Sequence, residues 1–540
     1  MTFGFHQLKN HFKNDHLSDW FDLNDTNDTN EYRKDKSTAF YLHLVTEKRK
    51  YIESMYDVFN FKYPHYVLRD LNQNQVEEYI GNNSKNIFLK PTLYSEKYDL
   101  SVQPDIIIHK DIFKEIFVHV DHEELPNYLV LDVLHLILHL SADKTDILNQ
   151  GNIYYYKCKI SLAISCLTHI TDHQYGFFLA KDYKHKDQFV NKKETIGRFR
   201  ISPDYFDDIR DGVKWLKRLR QNHHSWVIHP KPSVIELYPN MNCHNSHWSS
   251  EKNRLGHLLQ EITLVWNVSY EKRCKLIDQG ITSWTDSRLF DAYELRNNLS
   301  TEIKQKMIHI NQQTEIKISP RKIKNRDFIS SLNQTNTMIL DIESVAYFDE
   351  NESYFNDQHA PNDKPKICII GTITNDGIFK DFTIPYLKNY EEQKIITHWI
   401  SYLKKIFKEE KIYMYHWGNA EKVYLKYMKH KYSDLRFPDI ELIDLCYYFK
   451  KEPIVIQGCF GYGLKEIAKY LYNHNLIEHH WKDDLNGLDA MHLLLQFAKK
   501  ANENKIPMKR YSKIKEIVDY NDMDCRVVYD IVMYLRTNLI

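Results

Sequence analysis

No apolar run in this chain approaches the roughly 20 residues that a bilayer-crossing helix needs, so the sequence predicts no membrane span. The opening stretch, Met1 to His6, also lacks the charged and apolar regions of a secretory signal, and a soluble, intracellular protein is expected, cytoplasmic or, if viral, carried in host cytoplasm or virion. The 8 cysteines are scattered, with no CxxC pair, which excludes a disulfide framework and points to free thiols in a reducing compartment. Cys243 and Cys274 do not belong to a four-cysteine set, so no iron-sulfur cluster is expected. Net charge is missing too. With 73 basic and 73 acidic residues, any polyanion must be held by local patches rather than by a field over the whole surface. Gly461-Tyr-Gly463 is a lone glycine pair and makes no nucleotide fingerprint.

At 540 residues the chain is too long for one hydrophobic core and should divide into several domains. Residues 1–35, with a run of Asn, Asp and Thr from Asn24 to Asn30, read as a mobile leader. Apolar residues recur at helical spacing from Ala39 to Phe59. Strands are then expected over 86–89, 106–109 and 128–140, a helix over 154–167 and a strand over 174–180, which is an α/β order for 36–210. Residues 211–330 read as a mainly helical connecting region, including Val213 to Leu219 and a long periodic segment from Leu255 to Trp266. The basic stretch Lys317 to Arg326 reads as a linker. In 331–540 a strand at 337–343 precedes a hairpin over 366–372 and 379–384, turning at Asn375-Asp-Gly377. A helix from Tyr390 to Phe407, a strand at 411–415 and further helices follow, so a mixed sheet flanked by helices is expected.

Two acids interrupt the first of those last strands. Asp341 and Glu343 stand two apart in Thr337-Met-Ile-Leu-Asp-Ile-Glu-Ser344, so both carboxylates project from one face while Leu340 and Ile342 occupy the other. Like charges so close repel, and a divalent cation between them is the usual remedy. Tyr520 and Asp524 lie four apart in a helical segment and share a helix face. Glu421, in His416-Trp-Gly-Asn-Ala-Glu421, follows a strand end, where open α/β sheets place their sites.

Four acids from three segments, with a tyrosine four residues before the last, resemble the tyrosine-type branch of the DEDD exonuclease superfamily. The histidine-type branch carries His five residues before the last acid, and Asp519 stands there. The resemblance implies an RNase H-like fold and a 3′ to 5′ exonuclease. Asp341 and Glu343 are then its first motif, Glu421 its second, and Tyr520 with Asp524 its third. The second motif ordinarily supplies Asp, and Asp444 is the reserve candidate. Two Mg²⁺ or Mn²⁺ ions about 3.5–4 Å apart would be held by Asp341, Glu343, Glu421 and Asp524, and Tyr520 would orient the attacking water.

Gln103-Pro-Asp105-Ile-Ile-Ile108 and Tyr128-Leu-Val-Leu-Asp132-Val-Leu134, preceded by a helix carrying Glu53, resemble the RecB-like branch of the PD-(D/E)xK nucleases, which implies a restriction-endonuclease-like α/β domain. That family needs a lysine two residues after the second acid, where this chain has Leu134. Lys157 or Lys159 on the following helix can substitute; otherwise Glu53, Asp105 and Asp132 are remnants on a degenerate scaffold. The order of a RecB-like domain, a helical middle and an RNase H-like domain resembles a predicted nuclease family of bacteria, archaea and large DNA viruses. Glu261 to Trp266, Arg273 with Gly280-Ile-Thr282, and Gly463-Leu-Lys-Glu-Ile-Ala468 match its recurrent segments.

Cys243 and His247, with His223, His224 and His229 upstream, lack the spacing of a zinc finger and read as structural or surface residues among 28 histidines. Lys214, Lys217, Arg218 and Arg220 beside Trp215 and Trp226 either track a phosphate backbone or form a solvated helix face over a buried Trp. The expectation is a metal-dependent nuclease of DNA repair or recombination, with DNA favoured over RNA as partner. The alternatives are a non-catalytic nucleic-acid-binding protein on nuclease scaffolds, or an assembly factor with no nucleic-acid role. The sequence leaves oligomeric state open.

Overall fold

The computed structural model describes residues 3–24, 37–82, 84–117, 125–167, 174–186, 188–191, 195–243, 248–289, 299–313, 315–345, 366–481 and 485–540. The side chains of 37–44 are likewise outside the description. The chain forms two compact units, the first drawn from within 3–24 and 42–248 and the second from within 249–345 and 366–540. No helix among the described residues is long and apolar enough to cross a membrane.

The first unit is built on a mixed sheet with spatial order Gly197–Arg200, Tyr175–His185, Tyr128–His139, Ile106–His109, Ile87–Leu89 and Val67–Arg69. Strands from Ile87 through His139 run antiparallel in succession. Tyr175–His185 then returns parallel to Tyr128–His139, with helix Ile153–Ser165 in the crossover between them. A parallel pair requires such a crossover. The central strands are apolar runs buried under helix Ser37–Lys62, whose Tyr51, Met55, Tyr56 and Phe59 share their core.

Residues 3–24 are not a leader. Phe3–Gly4 pairs in parallel with Leu100–Val102, helix His16–Asn24 follows, and Phe3, Phe5, Leu8, Leu17 and Phe21 are buried. These apolar anchors stabilise the segment despite the polar tract after it, and 25–36 lies outside the described residues. The boundary expected at 210 falls inside one 20-residue helix, Pro203–Asn222. The helical middle is also no separate body. Its part up to 248 belongs to the first unit and the remainder to the second, because Ile262, Leu276, Ile303, Met307 and Phe328 share a core with Ile339, Tyr415 and Ile531. The expected helix over 255–266 ends at Leu258, where Gln260 takes a left-handed φ of 51° before a short 3₁₀ turn at Ile262–Leu264. The Lys317 to Arg326 stretch contains a two-residue strand, Ile318–Ser319, paired with Val455–Ile456.

In the second unit, β1 (Thr337–Val345), β2 (Lys366–Thr374) and β3 (Phe379–Thr383) form an antiparallel meander. Helix α1 (Asn389–Phe407) leads to β4 (Ile412–His416), which lies parallel to β1. Helix α2 (Ala420–Lys431) then leads to β5 (Ile440–Asp444), parallel to β4. The sheet order is β3-β2-β1-β4-β5, so β1 is central and β5 an edge. Helices α3 (Leu445–Lys451), α4 (Leu464–Asn473), α5 (Gly487–Asn504) and α6 (Ser512–Asn538) complete the layers. Met338, Leu340 and Ile342 of β1 pack on one face with Trp399 of α1 and Leu494 of α5. Ile339 packs on the other with Val528 and Ile531 of α6. The period-2 alternation therefore puts Asp341 and Glu343 on the α6 side. The hairpin turn expected at Asn375-Asp-Gly377 joins β2 to β3, with Gly377 at φ 78°.

Candidate metal centre

Asp341 and Glu343 leave the centre of β1, and Asp524 leaves the buried face of α6. One carboxylate oxygen from each lies within 4.8 Å of the others, and among the described residues no other group of three such ligands converges. The β1–β2 ladder shifts register directly after Glu343. Such bulges re-aim side chains beside functional sites.

Burial in a like-charged cluster dictates the electrostatics. Burial raises the Asp341 carboxyl well above the usual carboxylate range, with Asp524, Glu343 and Glu421 pushing the same way. Burial likewise pushes Glu343 up to about 8, with Asp524 and Glu421 adding and Lys465 opposing. Asp524 rises to about 7 through burial, moderated by a 2.7 Å hydrogen bond from Trp481 Nε1 and by Lys465. Hard oxygen donors held together against repulsion fit a divalent cation such as Mg²⁺ or Mn²⁺, which neutralises the charge that burial penalises.

Tyr520, one turn before Asp524, has its hydroxyl against that carboxyl; burial and then Asp524 raise the phenol far above its usual range. The Lys465 ammonium, from the first turn of α4, lies 4.9 Å from the Tyr520 ring centroid and 5.5 Å from that of Trp481, and donates to the Leu485 carbonyl. Glu421 sits buried on the first turn of α2. It is not one of the three converging ligands, but it raises Asp341 and Glu343, and its Oε2 lies 3.2 Å from His416 Nδ1. Asp444 caps α3: its Oδ1 accepts from Tyr447 N at 3.1 Å and Gly418 N at 3.0 Å.

Asn521 was not anticipated. Its Nδ2 donates to Asp341 Oδ2, holding the first acid from α6. This requires Gly371, which faces Asp341 across the β1–β2 ladder, because a Cβ there would stand 1.8 Å from Asn521 Oδ1. A glycine inside an otherwise β-branched strand was the available signal, since it marks a close approach. Trp481 and Lys465 lie far from Asp524 in sequence, and nothing in their spacing pointed to it.

In the first unit, Asp105 and Asp132 interlock. Asp105 N donates to Asp132 Oδ1 at 3.0 Å, and Val133 N donates to Asp105 Oδ2 at 2.8 Å. Lys159, not Lys157, reaches the pair, donating to Asp132 Oδ1 and Oδ2 at 2.8 and 2.9 Å. Lys157 instead binds Asp146 at 3.0 Å and the Ile147 carbonyl. The reason is helical phase: two residues along Ile153–Ser165 turn a side chain about 200° away. Burial raises Asp105 to about 6, with Asp132 adding and Lys159 opposing. Glu53 pairs with Lys90 at 3.3 Å, and Leu134 is core.

The middle-region candidates are absorbed locally. Lys214 pairs with Asp211, Lys217 with Asp99 and Arg218 with Glu236, while Arg220 covers the Phe3 ring at 4.0 Å. Trp215 is buried, donates to Asp19 at 2.8 Å and stacks on Trp226. Glu261 and Arg273 form an ion pair at 3.4 Å with both side chains 1% exposed. Cys243 Sγ lies 3.5 Å from Asp15 Oδ2, whereas His244 and His247 lie outside the described residues.

The second unit thus has a central strand with two acids, antiparallel neighbours on one side, two parallel strands on the other and an acid-bearing helix over it, the arrangement expected of an RNase H-like domain. A family model described as the RNase_H superfamily matches residues 358–536, about a third of the chain. The match supports an RNase H-like C-terminal domain and a nucleic-acid hydrolase. It begins after β1, so Asp341 and Glu343 precede it and Glu421, Tyr520 and Asp524 fall within it. No curated protein and no solved structure matches the chain.

Proposed function

We propose that the second unit is a metal-dependent 3′ to 5′ exonuclease acting on nucleic-acid phosphodiesters. The observation that carries this reading is the convergence of half-buried Asp341 with buried Glu343 and Asp524 within 4.8 Å in a mutually repelling cluster. Two bound Mg²⁺ or Mn²⁺ ions would supply an activated water and charge neutralisation at the leaving oxygen. Asp341, Glu343 and Asp524 hold that charge, and Asn521 orients Asp341. Glu421, whose Oε2 lies 3.2 Å from His416 Nδ1, supplies the fourth acid. Tyr520 stays protonated at neutral pH, so its hydroxyl orients a water by hydrogen bonding and does not act as a base. Lys465 stands where a cation offsets the charge of an incoming phosphate.

A second reading has its own support. In the first unit, Lys159 donates to both oxygens of Asp132 from the helix Ile153–Ser165, which favours a RecB-like nuclease site whose lysine sits on the helix and stands in for the one absent at 134. The test is digestion of end-labelled oligonucleotides with Mg²⁺ and with Mn²⁺ by wild type, Asp341→Asn with Glu343→Gln, and Asp132→Asn with Lys159→Met. Loss in the first double variant supports the exonuclease. Activity that survives there and vanishes in the second moves the reaction to the first unit. No cleavage by wild type, with salt-dependent binding retained, supports a binding protein on nuclease scaffolds.

A further inference from the structure

An open cleft of about 780 Å³ lies between α2 and the edge strand β5. Lys422, Lys426 and Lys429 line it, at positions i, i+4 and i+7 on one face of α2. All three are exposed, and no carboxylate among the described residues forms an ion pair with them. The two acids at the cleft are already engaged. Glu441 pairs with Lys411 at 2.7 Å, and Asp444 caps α3 and binds Gly418 N. The far wall carries Tyr447, 52% exposed, and Tyr448, whose ring stacks on Phe328. His416 forms part of the lining and touches Glu421, so the cleft adjoins the acidic centre.

We propose that this cleft is the run-in channel for single-stranded nucleic acid, with the backbone tracked by Lys422, Lys426 and Lys429 and a base stacked on Tyr447. The choice of occupant rests on the nuclease reading above. The chemistry fits that occupant: successive lysines rise about 6 and 4.5 Å along the helix axis, so one row of unpaired cations faces a linear polyanion. The half-exposed phenol ring of Tyr447 on the opposite wall has the Lys451 ammonium 5.5 Å from its centroid over one face and offers the other face to any base. The volume of about 780 Å³ lies within the range of about 300–1,000 Å³ typical of ligand clefts, room for a few nucleotides of one strand.

The test measures binding of a fluorescent oligothymidylate about 16 nucleotides long to the full chain in EDTA, across a salt series. Single-strand binding loses about 0.7 in log–log salt slope per phosphate contact removed. Changing all three lysines to Glu should therefore flatten the slope by about 2 and weaken binding at least about tenfold at low salt. The triple Lys→Arg variant should retain binding, and circular dichroism should show all variants folded. Photocrosslinking of an iodouridine-containing strand should map to Tyr447. An unchanged slope and affinity in the triple Glu variant, or a crosslink confined to another segment, overturns the proposal. Equal lysine-dependent binding of a blunt duplex overturns the single-strand assignment, and lysine-dependent capture of a polyglutamate peptide but not of the oligonucleotide overturns the nucleic-acid assignment. Cleavage with Mn²⁺ is scored separately. Lysine-dependent binding without cleavage leaves the channel and removes the nuclease reading, whereas cleavage with lysine-independent binding does the reverse.

Discussion

Replacing Glu343 with Gln removes one charge from the acidic centre at almost constant volume, and its effect on stability must change with pH. Glu343 is pushed from an ordinary 4.5 to about 8, first by burial and then by Asp524 and Glu421. Between those values the folded state binds more protons than the unfolded one, so metal-free stability falls as pH rises through that window. At about 1.4 kcal/mol per unit, the charged carboxylate costs the metal-free fold on the order of 5 kcal/mol above pH 8 and nothing below about pH 4.5. Glu343→Gln is therefore expected to raise the unfolding midpoint of the second unit by on the order of 10 °C at pH 9 in EDTA, and to leave it unchanged at pH 4. Mn²⁺ should stabilise wild type at pH 9 and the variant much less, because one ligand and the repulsion it relieves are both gone. Hydrogen exchange of peptides from β1 and α6 against temperature reads this unit separately from the first. A pH-independent effect, a loss of stability at pH 9, or equal Mn²⁺ protection of both proteins would refute the reasoning.

Gly371→Ala places a methyl group 1.8 Å from Asn521 Oδ1. It should displace Asn521 from Asp341 and lower cleavage on the order of 100-fold, measured as single-turnover rate, with near-native far-UV circular dichroism. Glu261→Gln or Arg273→Met alone strands a buried charge or donor and should cost about 3–5 kcal/mol, whereas the double change should cost less than the sum in urea titrations. Lys159→Met removes the ammonium that bonds both oxygens of Asp132, leaving only Asp105 N on Oδ1, and should weaken hydrogen-exchange protection along Tyr128–His139 in EDTA, with protection regained in Mn²⁺. Lys157→Met acts on Asp146 instead and should show no Mn²⁺ recovery.

Much of the second unit could be read in advance because its signals are local. A strand with acids two apart fixes their common face, and a turn with Gly377 at positive φ joins the expected hairpin. Tyr520 and Asp524 meet because α6 repeats every 3.6 residues. Residues 3–24 were misjudged because a polar tract after them outweighed isolated apolar residues whose partners, such as Leu100 for Phe3, lie far along the chain. The helical middle carries no mark of the core it joins, since short amphipathic helices show which face is apolar and not what covers it.

Taken alone, the sequence determined the residue types and phases of the centre: two strand acids on one face, a helix with Tyr and Asp in step, and a post-strand Glu. Only the tertiary structure decided which acids converge, because 4.8 Å between Asp341, Glu343 and Asp524 depends on α6 crossing β1 at one height. It also chose Lys159 over Lys157, brought Trp481, Asn521 and Lys465 to the site, and opened a lysine-lined cleft at β5. Those relations join residues distant along the chain, and periodicity carries no information about distance between elements.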